Sequence, residues 1–241
     1  MMANLLTRLG LALMWLLHFL PLPLLACIGR GMGALGYRLA RSRRKVVLVN
    51  LKLCFPDWSE VQRTRAAQEH FKLVARAFLE HGILWWSSKA RIQKLVRIEG
   101  LEHWQSVQDK PVIWLAPHFV GLDMGASRII TEWLATTIYS KQSNPVFDRA
   151  LLRGRSRFVT PRLFSRQDGV RPVAKAVREG LPLYYLPDMD LGERDAVFVP
   201  FFGVQTATVT GLARMARLAR AAVVPAVSRV LPGGEIGRAH V

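Results

Sequence analysis

The chain has 241 residues, 51% of them hydrophobic, and carries 34 Lys and Arg against 17 Asp and Glu, a formal net charge of +17. That length and apolar share allow one sizeable buried core, while two cysteines (Cys27, Cys54) and six scattered histidines exclude a disulfide framework and offer no metal-ligand spacing. No metal is implied, and the surplus charge points to an anionic partner: nucleic acid, a membrane surface, a phosphorylated substrate or an acidic carrier protein.

Residues 9–28, LGLALMWLLHFLPLPLLACI, are about long enough to cross a bilayer, but His18, Pro21 and Pro23 interrupt them. They read as a membrane-embedded or interfacial anchor at least as much as a clean span. A cleaved secretory signal is the alternative, with LLAC hinting at a lipoprotein site ahead of Cys27. Charge asymmetry opposes it: Arg8 alone precedes the apolar run, whereas Arg30, Arg38, Arg41, Arg43, Arg44 and Lys45 follow it, which keeps the downstream domain cytoplasmic. Next to that anchor, RSRRK at 41–45 reads as contact with anionic headgroups rather than a nucleic-acid patch.

Ser59 to Gln62 forms a capping-box pattern that starts a helix running through about Glu80. Phe71, Val74, Ala75, Phe78 and Leu79 share one side of it and are expected in the core. Leu84, Trp85 and Trp86 fit the membrane interface and burial against the N-terminal helices equally well. From Ile98 onward, strands and helices alternate. VIWLA, ATTIYS, LPLYYLP and AVVPAVSRV read as strands, and helices are expected over 122–133, 145–157, VRPVAKAVREG and 206–221. This alternation predicts an α/β fold: a mostly parallel sheet flanked by helices, with an N-terminal helical membrane anchor.

The apolar run VIWLA lacks alternation and is bounded by Pro111 and Pro117, as expected of a buried parallel strand. His118 follows it and Asp123 lies five residues on. Five residues rotate a side chain roughly 140° around an ideal helix, so the two share no helical face. His118 is therefore expected in the strand-to-helix loop and Asp123 in the first helical turn. There the carboxylate orients the imidazole and leaves one ring nitrogen free as a base. A loop hydrogen bond is the plainer reading of such a pair, but the end of a strand in a doubly wound sheet is where ligands bind.

HFVGLD resembles the motif of the glycerolipid acyltransferases, a His, four residues and an acidic residue. The flanking sequence, and above all YYLPDMDLGERDAVFVPFFG at 184–203, resembles their bacterial relatives, the late lauroyl or myristoyl acyltransferases of lipid A biosynthesis. The resemblance runs from about residue 9 to 229. It implies an enzyme that moves a fatty acyl chain from acyl carrier protein, without a cofactor, to a hydroxyl of a hydroxyacyl chain on a lipid A precursor. It also implies the cytoplasmic face of an inner membrane, with a phosphorylated glycolipid acceptor, an anionic membrane surface and no nucleic acid as partners. His118 and Asp123 would be catalytic; Arg155 in the basic helix, and Asp188 and Asp190 in LPDMDLG, would bind substrate or stabilise the transition state. Val199 to Gly203 would form an acyl-pocket or membrane-facing loop, and Pro225 would shape a loop. LPDMDLG departs from the Phe-Pro-Glu-Gly type of the glycerolipid enzymes, which favours lipid A over phosphatidic acid synthesis. The alternatives are a lysophospholipid, glycerol-phosphate or aminolipid acyltransferase, and a non-catalytic basic membrane-binding protein. On this reading residues 1–45 are the anchor and basic segment, 46–234 the acyltransferase domain, and 235–241, EIGRAHV, an artefact resembling translated adaptor DNA, with a C-terminal piece missing.

Overall fold

The computed structural model describes residues 2–160, 162–165, 168–189, 192–193 and 196–231, and the backbone of 237–240. Helices come first: α1 (Met2–Leu17), α2 (Leu22–Leu39), α3 (Arg41–Cys54), α4 (Glu60–Trp86) and α5 (Lys89–Leu95). There follow β1 (Val96–Glu99), α6 (Leu101–Gln105), β2 (Val112–Leu115), α7 (Leu122–Ile129), β3 (Thr136–Tyr139), α8 (Pro145–Arg155), β4 (Leu163–Ser165), α9 (Val170–Arg178) and β5 (Leu183–Tyr185). The chain closes with β6 (Ala196–Phe201), β7 (Val204–Val209), α10 (Gly211–Ala219), β8 (Ala222–Pro225), β9 (Val227–Arg229) and β10 (Gly237–His240).

Five strands form a parallel sheet in the order β4-β3-β5-β2-β8. Side chains alternate across it. Val112 and Trp114 of β2 pack with Trp104 and Ile129 on the face covered by α6 and α7. Ile113 points the other way, into Val173, Val177, Met215 and Ala219 of α9 and α10. Burial on both faces explains why VIWLA is continuously apolar. Trp114 is 1% exposed, so truncating it to Ala would cost about 3–5 kcal/mol. A smaller sheet, β1-β10-β9, stands beside the large one, and β6 and β7 make a separate antiparallel hairpin.

The first two helices are laid on α4. Gly29 and Gly33 of α2 sit so close to it that an added Cβ would lie 2.6 Å from the Arg76 Cα and 2.4 Å from the Lys72 Cα. Any larger residue there would push the helices apart. Among the described residues, no helix is long and apolar enough to cross a membrane. The apolar stretch at 9–28 breaks between α1 and α2, where Pro21 precedes the first turn of α2 and lacks the N–H a continuing helix would need. Both helices nonetheless expose large apolar side chains, among them Leu5, Leu9, Leu13, Leu16, Leu24 and Leu35.

Several expectations change. The capping box forms as read, Ser59 accepting from the Gln62 amide and Gln62 Oε1 from the Ser59 amide, but α4 runs on to Trp86. Its expected core stripe is split: Val74 and Phe78 are exposed and Phe71 and Ala75 half-buried, while Leu79 is buried with Ala67, Ile83 and Leu84. Leu84 and Trp85 are buried. Residues 206–209, read as the start of a helix, are strand β7, and α10 begins only at Gly211. The expected fourth strand is two, because the chain leaves the large sheet after Pro225 and β9 joins the small one.

Candidate active site

Strands β2 and β5 are neighbours in the parallel sheet, with Leu115 opposite Tyr185. Parallel strands leave a sheet edge side by side, so the loops after them meet. His118 and Asp188 each lie three residues beyond that pair. Asp188 accepts two hydrogen bonds from His118, one from its backbone amide and one from ring Nδ1, both at 2.7 Å. A carboxylate only accepts, so the proton is on Nδ1 and the lone pair of Nε2 is free. Burial favours the neutral acid, but the two bonds from His118 outweigh it and hold the Asp188 carboxyl below its ordinary range. The imidazole is 38% exposed, open to a reacting group.

Asp123 therefore does not orient His118. It occupies the first turn of α7, as expected, where the left-handed Gly121 (φ 97°) starts the helix, but its carboxylate turns toward other helices. Oδ2 faces Nε2 of His81 on α4 at 3.1 Å, and Oδ1 accepts from Arg155 Nη2 at the end of α8 at 3.1 Å. The physical reason is charge: two cations from α4 and α8 converge on this carboxylate, whereas β5 supplies His118 with a carboxylate at its own strand end. His81 Nδ1 lies 2.8 Å from the Ala77 carbonyl, so both its ring nitrogens face acceptors and both must carry protons. Burial alone would make this imidazole less basic. The bond to Asp123, its charge and the Ala77 carbonyl reverse that and raise its pKa. Asp123 is moved correspondingly down: burial opposes ionisation, but the bond and charge of His81, followed by those of Arg155, prevail.

His118, Asp123 and Arg155 line a cavity of about 520 Å³, walled by apolar side chains including Leu122, Ala126, Ile130, Ile138, Leu151 and Met215. Its size and lining suit one largely apolar ligand. Tyr184 also lines it, its phenol made less acidic by burial and by the charge of Asp123. Asp190 lies outside the described residues. Phe201 and Phe202, expected in a pocket or membrane-facing loop, sit exposed on the β6–β7 hairpin beside the equally exposed Phe198, with Phe202 edge-on to Phe55 at 5.1 Å. Among the described residues, no group of three His, Cys, Asp or Glu side chains could hold a metal ion.

Residues 1–236 match the model of the bacterial lipid A biosynthesis acyltransferases. This chain belongs to that family. It is 35% identical over 233 residues to the lipid A biosynthesis lauroyltransferase of Escherichia coli (strain K12), covering 95% of this chain and 76% of that one. It is 36% identical to the lipid A biosynthesis myristoyltransferase of the same organism, over 84% of this chain and 62% of that one. A lipid A biosynthesis acyltransferase of Haemophilus influenzae is 34% identical, over 92% and 70%. The chain is accordingly an acyltransferase, and its candidate site is the pair His118 and Asp188 at the edge of the apolar cavity.

Two partners in this acyltransferase were not found by sequence reasoning. Asp188 was singled out, but not as the partner of His118, because 70 residues separate them and their meeting depends on strand order. His81 was not considered at all. The available signal is its place in FLEHGILWW at 78–86, where a histidine flanked by apolar residues needs a partner.

Proposed function

We propose that this acyltransferase moves a fatty acyl chain from acyl carrier protein to the hydroxyl of a hydroxyacyl chain on a phosphorylated lipid A precursor, at the cytoplasmic face of the inner membrane. The observation that carries the reading is the Asp188–His118 hydrogen bond at 2.7 Å beside an apolar cavity of about 520 Å³. Asp188 holds the imidazole with Nε2 free. Nε2 takes the proton of the acceptor hydroxyl as its oxygen attacks the thioester carbonyl, forming a tetrahedral oxyanion. Arg155, whose one hydrogen-bond partner among the described residues is Asp123, has further N–H donors for that oxyanion or for a substrate phosphate. Collapse expels the thiolate, which recovers the proton from His118 Nε2. The thioester is already activated, so the steps close without a covalent enzyme intermediate.

The relatives support the lipid class: they are lipid A biosynthesis lauroyl-, myristoyl- and palmitoleoyltransferases. Exposed apolar side chains on α1, α2 and the β6–β7 hairpin, with a net charge of +17, support an anionic membrane surface as the working environment. The test is transfer from labelled acyl carrier protein to a tetraacylated lipid A precursor by membranes carrying the protein. His118→Ala should lower the rate by about 10² to 10⁴. Transfer to a lysophospholipid and none to the precursor would change the acceptor; an undiminished rate in folded His118→Ala would sink the mechanism.

A further inference from the structure

A second cavity of about 510 Å³, which shares Trp85 with the first, lies between α1, the end of α4, and α8. Four arginines line it: Arg8, Arg149, Arg153 and Arg157. Among the described residues none of the four has a carboxylate within ion-pair distance. The elements themselves supply almost no acid. α1 contains none, and the one carboxylate of α8, Asp148, is buried and accepts from the Tyr139 hydroxyl and the Gln142 amide. Near the end of α4, Glu80 is taken by Arg76 at 2.6 Å. Arg157 has a structural use, donating to the carbonyls of Leu84 at 2.9 Å and Ser87 at 2.5 Å. Arg8, Arg149 and Arg153 have no such bond among the described residues. Four guanidinium groups around one cavity repel each other unless an anion stands between them, and their forked N–H groups match the oxygens of a phosphate.

The rest of the lining says what carries that phosphate. Leu11, Trp86, Val146 and Ala150 make the walls apolar between the charges, and α1 exposes Leu5, Leu9 and Leu13 alongside Arg8. A free anion has no use for such a surface, whereas an amphiphile lays its chains on it. We infer that this arginine cavity binds the phosphate of a lipid headgroup, with the chains passing over α1. On the reading above, to which this adds, the lipid is the phosphorylated acceptor, and Trp85, which lines both cavities, separates its phosphate from the reacting groups.

The experiment is binding of the whole protein to phosphatidylcholine vesicles with and without phosphatidic acid, followed by sedimentation, for the wild type and for Arg149→Gln/Arg153→Gln. Both side chains are exposed, so the pair should fold, which thermal melting verifies. Arg171→Gln/Lys175→Gln on α9 removes the same charge elsewhere. The α8 pair should weaken binding to phosphatidic acid vesicles about tenfold, the α9 pair by less than about twofold, and neither should alter binding to phosphatidylcholine alone. Equal losses in the two pairs would reduce the cavity to general surface charge and overturn the inference. Inorganic phosphate that changes tryptophan fluorescence at the lipid phosphate's midpoint would do so too, assigning the site to a free anion. His118→Ala should bind the vesicles as the wild type does. Failure of the catalytic reading would therefore appear in transfer alone, and failure of this inference in vesicle binding.

Discussion

Two histidine–carboxylate pairs each bring one member, His118 and Asp123, to the lining of the same cavity, and they differ in how many ring nitrogens are occupied. His118 gives Nδ1 to Asp188 and keeps Nε2 open; His81 is held at Nδ1 by a carbonyl and at Nε2 by Asp123. The first has a lone pair to offer a proton and the second has none, so on the proposed mechanism the first serves as the base while the second holds charge. His81, Asp123 and Arg155 form a cation–anion–cation bridge that ties α4, α7 and α8 together behind the reacting group. Nearness of a histidine to an aspartate does not make a catalytic dyad; the acceptors around the remaining nitrogen decide it.

The contrast breaks most sharply at Asp188. Asp188→Asn can donate to Nδ1, which favours the ring proton on Nε2, and acyl transfer should fall by about 10² or more with little change in melting temperature. A rate equal to that of the wild type would remove Asp188 from the mechanism. Asp123→Asn should do the reverse. Two cations lose their counter-charge in a partly buried place, so stability should drop by about 1–3 kcal/mol in a denaturant titration, while transfer falls less than in Asp188→Asn. If Asp123→Asn instead abolished transfer at unchanged stability, the spacing argument that paired it with His118 would be right after all.

The pH dependence of stability sharpens the same point. The His81 pKa is raised in the folded protein, so its contribution is complete below the unfolded value near 6.5 and is lost as pH rises through the folded value. The Asp123 pKa is lowered, so its contribution is complete above the unfolded value of 3.8 and is lost as pH falls through the folded one. The difference in melting temperature between the wild type and His81→Gln should therefore be greatest between those values and shrink above pH 6.5. A difference that grows toward alkaline pH would show that His81 is neutral. The smallest effect on transfer is expected at Gly154, where an added Cβ would lie 2.3 Å from Cδ1 of the buried Trp85 and the cost falls on stability. Gly154→Ala should wedge α8 away from α4, cost about 1–3 kcal/mol in a denaturant titration and displace the neighbouring Arg155.

What the sequence by itself determined is what depends on neighbours along the chain. The buried strand VIWLA, the loop position of His118, the helical position of Asp123, the capping box at Ser59 and the parallel α/β class all follow from local pattern, and the family follows from motif resemblance. Local pattern failed where burial decides conformation. Residues 206–209 have apolar spacing that a helix accepts, yet they pair with β6 as an exposed hairpin. The stripe over 71–79 reads as one core face, yet α2, packed through Gly29 and Gly33 against Arg76 and Lys72, leaves Val74 and Phe78 exposed. The partner of His118 was decided by tertiary structure alone. Strand order 4-3-5-2-8 places β5 against β2, bringing a carboxylate 70 residues away to 2.7 Å from the ring, while Asp123, five residues away, is drawn off by His81 and Arg155. Sequence spacing reports distance along the chain, but a hydrogen bond goes to the acceptor that the packed strands and competing charges leave within reach.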